Sequence, residues 1–291
     1  MCSEYRLRIA VPSRGRLREG AEEILSMAGI GLPSLYDRML VTDDEGSGYQ
    51  LQFVRARDIV SLVATGCADV GITGRDLVME FGEDSVEEIM KLDFGKCSLC
   101  IAVPEDSPAK DASELEEGAR IATMYPRVTS RFFENIGKKV EIVTVSGTTE
   151  AAPMIGIADA ISDIVETGST LRMNGLRPLC RVLESSAVVI AGKDSRMKRD
   201  EIDEFLCLVR SVQYAKSKRY LMVNVPYRSE NEVLRLLKGI EGPTSMRISG
   251  RNDFFALHAV VDISEINAII PGLKALGCTG VLVSRIERLV P

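Results

Sequence analysis

From Leu7 onward, short apolar runs alternate with stretches in which apolar residues recur every third or fourth position. The first pattern suits strands buried on both faces and the second suits amphipathic helices. Residues 7–11 predict a strand, 12–15 a turn, and 16–28 a helix. Leu17, Ala21, Ile24, Leu25 and Ala28 form the apolar stripe of that helix, and Gly29 stops it. A strand at 50–55, a helix capped by Asp58 and ended by Gly66, a strand at 68–72 and a helix from about Asp76 follow. The rhythm then repeats, with strands at 98–103, 120–122, 141–145, 159–165 and 186–190. Helices are expected between them at 113–117, 128–136 and 149–155, and a long charged one at 195–217. This alternation is that of an α/β chain with parallel strands, whose ligands gather at the carboxyl ends of the strands. Two such units joined by extended crossings predict two lobes with a cleft, residues 1–97 with 186–216 and residues 98–185. No internal sequence repeat stands out.

The order changes after residue 216. A strand at 220–225, a helix at 229–238, a hairpin at 245–249 and 254–261, a helix at 264–276 and a strand at 280–286 make a ferredoxin-like (ACT-like) βαββαβ domain over 217–291. Residues 216–219 read as its linker.

Composition narrows the chemistry. At 291 residues the chain exceeds the roughly 250 at which one core stops growing. Thirty-six basic against 42 acidic residues leave a net charge of −6, which argues against bulk attraction to nucleic acid or an acidic membrane. The single histidine, His258, cannot build a His-rich metal site and lies in an apolar run, where a packed or partly exposed sheet residue is expected. Absence of Trp, with aromatics at 5%, speaks against a stacking platform for single strands. Seven scattered cysteines are an odd number and suit a reducing, cytoplasmic compartment. Cys97 and Cys100 form a lone C-x-x-C inside an apolar run, so they read as small strand side chains. The N-terminus has no secretory apolar region, and no apolar run approaches the ~20 residues of a membrane span.

The most informative stretch is GIADAISDIVETGSTL at 156–171. Asp159 and Asp163 share one side of a strand, and Asp163 lies nearer its end. Beyond it, Thr167, Ser169 and Thr170 bring hydroxyls, and Gly168 permits close backbone approach. The free N–H groups of the opening turn favour a phosphate. A carboxylate before such a cradle suits a ribose phosphate, accepting hydrogen bonds from the 2- and 3-hydroxyls. A strand ending in a turn capped by Thr167 accounts for the same spacing.

The same stretch, with VPSRGRL at 11–17, ADVGITGRDLV at 68–78 and RIATMYP at 120–126, resembles the ATP phosphoribosyltransferase family of histidine biosynthesis. GIEGPT at 239–244 and LKALG at 273–277 are similar to its long form, which carries a C-terminal regulatory domain. The resemblance implies lobes like those of type II periplasmic binding proteins. It also implies condensation of ATP with 5-phosphoribosyl 1-pyrophosphate, releasing pyrophosphate, with Mg2+ held mainly by substrate oxygens. Asp163, Glu150 and Arg16 would serve catalysis. Asp163 with Glu166, Thr167, Gly168, Ser169 and Thr170 would bind ribose 5-phosphate, the Glu166 side chain turning outward. Arg14, Arg16, Arg57 and Asp76 would meet ATP and pyrophosphate, although the family often has Lys where Arg14 stands. Tyr125 suits either adenine or the core. Asn224, Ile240, Thr244, Ala259 and Val260 would line an inhibitory histidine site in a homo-oligomer, dimer or hexamer. No nucleic acid or membrane partner is expected. A two-lobed small-molecule binding protein without catalysis is the rival reading.

Overall fold

The structure is a computed structural model that describes residues 5–31, 40–44, 46–82, 85–166, 168–193, 198–240 and 242–290. Tertiary contacts group the chain into two units, residues 1–23 with 30–202 and residues 24–29 with 203–291. The chain begins with β1 (Leu7–Pro12), α1 (Arg18–Met27), β2 (Val41–Asp44), β3 (Tyr49–Val54), α2 (Ala56–Ala64), β4 (Val70–Gly74), α3 (Arg75–Phe81) and β5 (Val86–Lys91). Next come β6 (Cys97–Pro104), β7 (Arg120–Thr123), α4 (Pro126–Asn135), β8 (Glu141–Thr144), β9 (Ala160–Val165), α5 (Ser169–Met173), β10 (Leu176–Ser185) and β11 (Ala187–Gly192).

These strands form two sheets, ordered β2-β3-β1-β4-β11-β5 and β10-β6-β9-β7-β8. In each, three parallel strands are followed by one antiparallel strand arriving from the other sheet, β11 in the first and β6 in the second. A further strand, β5 or β10, pairs antiparallel with the newcomer. The chain therefore crosses between the lobes at 92–96 and at 186. The expected two-lobed α/β architecture is present, and its central strands are apolar on both faces: Leu7, Ile9, Ala10 and Val11 of β1 are fully buried.

The two sheets also repeat a detail that the sequence reading passed over. Arg8, on β1, donates its backbone N–H to Asp69 at 2.7 Å, and its guanidinium reaches Asp69 and the Gly66 carbonyl. Arg120, on β7, does the same with Asp159 at 2.9 Å and with the Gly156 carbonyl. Both acids close a Gly-x-Ala-Asp turn, GCAD at 66–69 and GIAD at 156–159, whose alanines are buried.

Several expected elements differ. Strands β2, β5 and β10 were not expected; all three lie at sheet edges. The helices expected at 113–117 and 149–155 contract to 3-10 turns, Ala112–Glu114 and Thr149–Ala151. Arg55, not Asp58, is the N-cap residue of α2, and Asp58 sits in the first turn.

The second unit contains most of α6 (Arg199–Lys216) and then β12 (Lys218–Pro226), α7 (Glu230–Leu236), β13 (Thr244–Arg247), β14 (Phe254–Asp262), α8 (Ile266–Ala275) and β15 (Thr279–Arg285). The antiparallel order β13-β14-β12-β15 is the ferredoxin-like one. Leu221, Val223, Val225, Phe255, Leu257, Ala259 and Val261 share one sheet face and join Val233, Leu237, Ile269 and Leu273 in one core. Residues 216–219 are no linker. Helix α6 ends at Lys216, β12 opens at Lys218, and Lys218 Nζ holds Asp262 at 2.9 Å.

Candidate functional site

The carboxyl ends of β1, β3, β4, β7, β8 and β9 and the two crossings carry nearly all the singled-out residues of the first unit. Strand β9 ends at Val165, just before Glu166, and Gly168 is the N-cap of α5 at φ 74°, a left-handed conformation that glycine adopts without strain. Thr167 lies outside the described residues. A cavity of about 310 Å³ opens over this loop, lined by Glu150, Asp163, Glu166, Gly168, Ser169 and Thr170 among others. Asp163 is half-buried. Burial pushes its carboxyl above the usual range against the pull of the Ile164 N–H, and the negative charge of Glu150 pushes the same way. Glu150 reaches the cavity through a turn in which Thr148 adopts φ 52°, a strained conformation for a β-branched residue. Asp159 is tied to Arg120 at the far end of the strand.

Glu166 is exposed, and it also borders a second cavity of about 440 Å³. Arg75, Lys91, Lys96, Glu184, Cys97, Ser98, Ser185 and Ser186 contribute to that wall, so a hollow with three cations beside two carboxylates adjoins the carboxylate-rich one. Lys91 and Lys96 escaped the sequence reading. Their signal is positional, because they flank the crossing into β6, where one lobe hands the chain to the other. Cys97 and Cys100 are buried and unpaired in β6, as their apolar run implied. Burial lifts the Cys97 thiol to about 11 although the Arg16 charge pulls it down.

The cations assigned from sequence are not gathered in one place. Arg14 is exposed after β1. Arg57 lies with its guanidinium 5.4 Å from the centre of the Phe81 ring, in a third hollow of about 320 Å³ that Leu77, Met124, Tyr125 and Val145 make mainly apolar. Arg16 donates to Asp76 Oδ1 at 2.8 Å and to the Gly95 carbonyl at 2.6 Å. Burial opposes its charge most strongly, but its partners together, Asp76 first among them, hold its pKa above the ordinary value.

Asp76 departs from its expected role. Its side chain is fully buried and has no surface to offer a ligand. Besides Arg16, it accepts from Tyr125 Oη at 2.9 Å and from Ser185 Oγ at 2.5 Å. Tyr125 is thereby buried and anchored; burial and the Asp76 charge push its phenol far up. One turn later on α3, Glu80 accepts from the backbone N–H groups of Arg127 and Val128, each at 3.0 Å, at the start of α4 in the other lobe.

In the second unit, strand alternation divides the expected effector residues. Asn224, Thr244 and Val260 belong to the sheet face away from the helices, whereas Ala259 faces the core, so its side chain cannot join theirs. The Ile240 N–H donates to the Val260 carbonyl at 3.1 Å. His258, half-buried on β14, hydrogen-bonds the Tyr220 hydroxyl through Nδ1, as expected of a packed sheet residue.

Fold and site together define a two-lobed α/β ligand-binding protein whose cleft sets carboxylates beside cations. Residues 55–211 match the family described as ATP phosphoribosyltransferase, and residues 215–288 match the HisG C-terminal domain. The ATP phosphoribosyltransferase of Natronomonas pharaonis is 45% identical over 98% of this chain and its own full length. That of Methanocaldococcus jannaschii is 39% identical over 97% of this chain and 99% of the relative. A solved ATP phosphoribosyl transferase (HisG:HisZ) complex from Thermotoga maritima superposes at TM-score 0.61 and 29% identity, over 70% of this chain and 96% of that one. The chain belongs to the ATP phosphoribosyltransferase family. No helix among the described residues is long and apolar enough to cross a membrane.

Proposed function

We propose that this chain condenses ATP with 5-phosphoribosyl 1-pyrophosphate to N1-(5-phosphoribosyl)-ATP and pyrophosphate, the first step of histidine biosynthesis, in the cytoplasm. The observation that carries the reading is the pair of adjoining cavities sharing Val165 and Glu166, one with Asp163 over a glycine-capped loop and the other lined by Arg75, Lys91 and Lys96. The sugar phosphate fits the first. Asp163 accepts from the ribose hydroxyls, and the loop hydroxyls and first-turn N–H groups take the 5-phosphate. The polyphosphates fit the side of Arg75, Lys91 and Lys96, and Arg14, Arg16 and Arg57, which do not line that cavity, would meet phosphates that extend beyond it.

Positive charge develops on the ribose as pyrophosphate departs, so carboxylates on one side and cations on the other stabilise both halves of the separation. Adenine N1 carries no proton at neutral pH, and no general base is required. Among the described residues no group of three or more His, Cys, Asp or Glu is placed to hold a metal ion. Mg2+ would ride mainly on pyrophosphate and ribose oxygens, as an ion that dehydrates reluctantly does, and Asp163 or Glu150 could complete its shell. Bound there it would neutralise the leaving group.

The ferredoxin-like unit is assigned histidine binding and feedback inhibition, with Asn224, Thr244 and Val260 on one face and Ile240 beside them, in a homo-oligomer. Incubation with ATP, phosphoribosyl pyrophosphate, Mg2+ and pyrophosphatase should produce the ultraviolet absorbance change of an N1-ribosylated adenine. Saturable ligand binding with no product under any condition would favour the binding-protein reading instead. Asn224→Ala should blunt inhibition by added histidine while leaving uninhibited turnover intact.

A further inference from the structure

The third strand of each sheet is followed by a helix whose N-cap is a glycine. Gly168 caps α5 in a left-handed conformation at φ 74°, whereas Gly74, the last residue of β4, caps α3 in an extended one at φ −86°. Counting from those caps, Asp76 stands where Thr170 stands in the phosphate-type loop. In the first lobe β4 runs straight into α3, and the position is closed from within. The Asp76 carboxylate fills it, and a Cβ on Gly74 would fall 2.4 Å from Asp76 Oδ1 and 3.1 Å from Arg16 Nη2. The Asp76 carboxylate collects one group from each of three neighbouring segments: Arg16 after β1, Tyr125 after β7 of the other lobe, and Ser185 at the return crossing. Ser185 also receives the Asp76 backbone N–H at 3.0 Å. With Gly95 holding its second nitrogen, the Arg16 guanidinium is fixed at two of its five N–H groups, and its side chain stays 20% exposed.

We propose that Asp76 is a positioning residue for the transfer: from the first turn of α3 it orients the Arg16 guanidinium toward the polyphosphate through contacts spanning both lobes. The proposal rests on the preceding reading of Arg16 as a polyphosphate ligand. Binding of the sugar phosphate, held by the loop after β9, does not depend on it.

The test is steady-state kinetics of Asp76→Asn, Tyr125→Phe, Ser185→Ala, Arg16→Ala and Glu80→Gln. Glu80 is an equally interior carboxylate joining the lobes, but it does not touch Arg16. Asp76→Asn should lower kcat by about a hundredfold, the size of a small misplacement at a reacting centre, with KM for phosphoribosyl pyrophosphate within about twofold. Glu80→Gln should keep kcat within about twofold. Guanidinium ion at millimolar concentration should restore at least about tenfold of the activity lost in Arg16→Ala, but not in the Arg16→Ala, Asp76→Asn double variant. Equal rescue in both backgrounds overturns the proposal, as does Asp76→Asn activity near that of the parent beside an impaired Arg16→Ala. If Asp76→Asn does not fold, Tyr125→Phe and Ser185→Ala decide: each should lower kcat, and parental kcat in both overturns the proposal. Full activity in Arg16→Ala instead overturns the reading of Arg16, and the positioning role with it.

Discussion

Glu80 offers the clearest energetic test of how the two lobes are joined. Its carboxylate is buried and accepts the N–H groups of Arg127 and Val128 at 3.0 Å each, in the first turn of α4, where a helix has no acceptors of its own. Each charge-assisted bond is worth about 1.5–3 kcal/mol, and the N-terminal helix dipole adds about 0.3–1 kcal/mol for a negative charge. Truncation by Glu80→Ala leaves both donors without that partner, and removing one member of such a buried charged set costs about 3–5 kcal/mol. Water entering the vacated space favours the lower end, about 3 kcal/mol. Glu80→Gln keeps one acceptor oxygen and loses the charge and one bond, for about 1.5 kcal/mol.

Because the donor helix and the acceptor helix belong to different lobes, the loss should appear locally before it appears globally. Hydrogen exchange of the 127–135 amides reads it directly: 3 kcal/mol corresponds to a little over a hundredfold faster exchange, about, with the amides of α2 unaffected. Urea denaturation of the same variant gives the global value. A loss below about 1 kcal/mol, with unchanged protection at Arg127 and Val128, would refute the assignment of Glu80 as a cap supplied from the opposite lobe.

Asp163→Asn should abolish turnover and yet stabilise the free protein at pH 7. A carboxyl whose folded pKa is raised by burial and by Glu150 destabilises the fold when ionised; that penalty, and the advantage of Asn, fades as pH falls through the raised value toward 3.8. A parent melting at or above Asp163→Asn at neutral pH would contradict this. Gly74→Ala should cut activity in parallel with Asp76→Asn, since its Cβ displaces the Asp76 carboxylate; a fully active Gly74→Ala enzyme would show that the hub tolerates rearrangement. For the cysteines, brief iodoacetamide treatment at pH 8 with peptide mapping should label exposed Cys67 well before Cys97, which is buried with its pKa at about 11. Equal rates would contradict the burial of Cys97.

The parts of the fold that were legible are those whose side chains alternate or repeat against a core. Strands β1, β4, β7, β9 and β11 announce themselves because both faces are buried. The missed strands β2, β5 and β10 carry VTDD, VEEIMK and LRPLCRVLES; each is an edge strand, where charge and proline prevent pairing with other chains and erase the apolar pattern. Bulges after Pro178 and Arg181 disturb the alternation of β10 further. The repeat between lobes was visible only as GCAD and GIAD, too short to register without the sheets. At the site, Asp163 and its loop are contiguous in sequence and could be found by spacing. Asp76 could not, for its partners stand 49, 60 and 109 residues away. A buried acid and a ligand-binding acid look alike until those partners are placed.

The repeat explains why charge is divided across the cleft of an acidic chain. In both lobes a glycine-capped helix follows the third strand, but only the second lobe opens a cavity there, where the carboxylates Asp163, Glu150 and Glu166 gather with hydroxyl groups. In the first lobe the buried Asp76 occupies the helix start, and its negative charge holds a cation in place. The crossings add Lys91 and Lys96. Under the proposed function, a ligand that is a sugar at one end and a polyphosphate at the other would meet acceptors and donors in the order its own groups require. Reversing either half, by a cation at Asp163 or a carboxylate at Lys96, should weaken substrate engagement more than deleting the group does, because repulsion is added to the lost contact. Asp163→Lys less active than Asp163→Ala, and Lys96→Glu less active than Lys96→Ala, is the ranking that this division of charge requires.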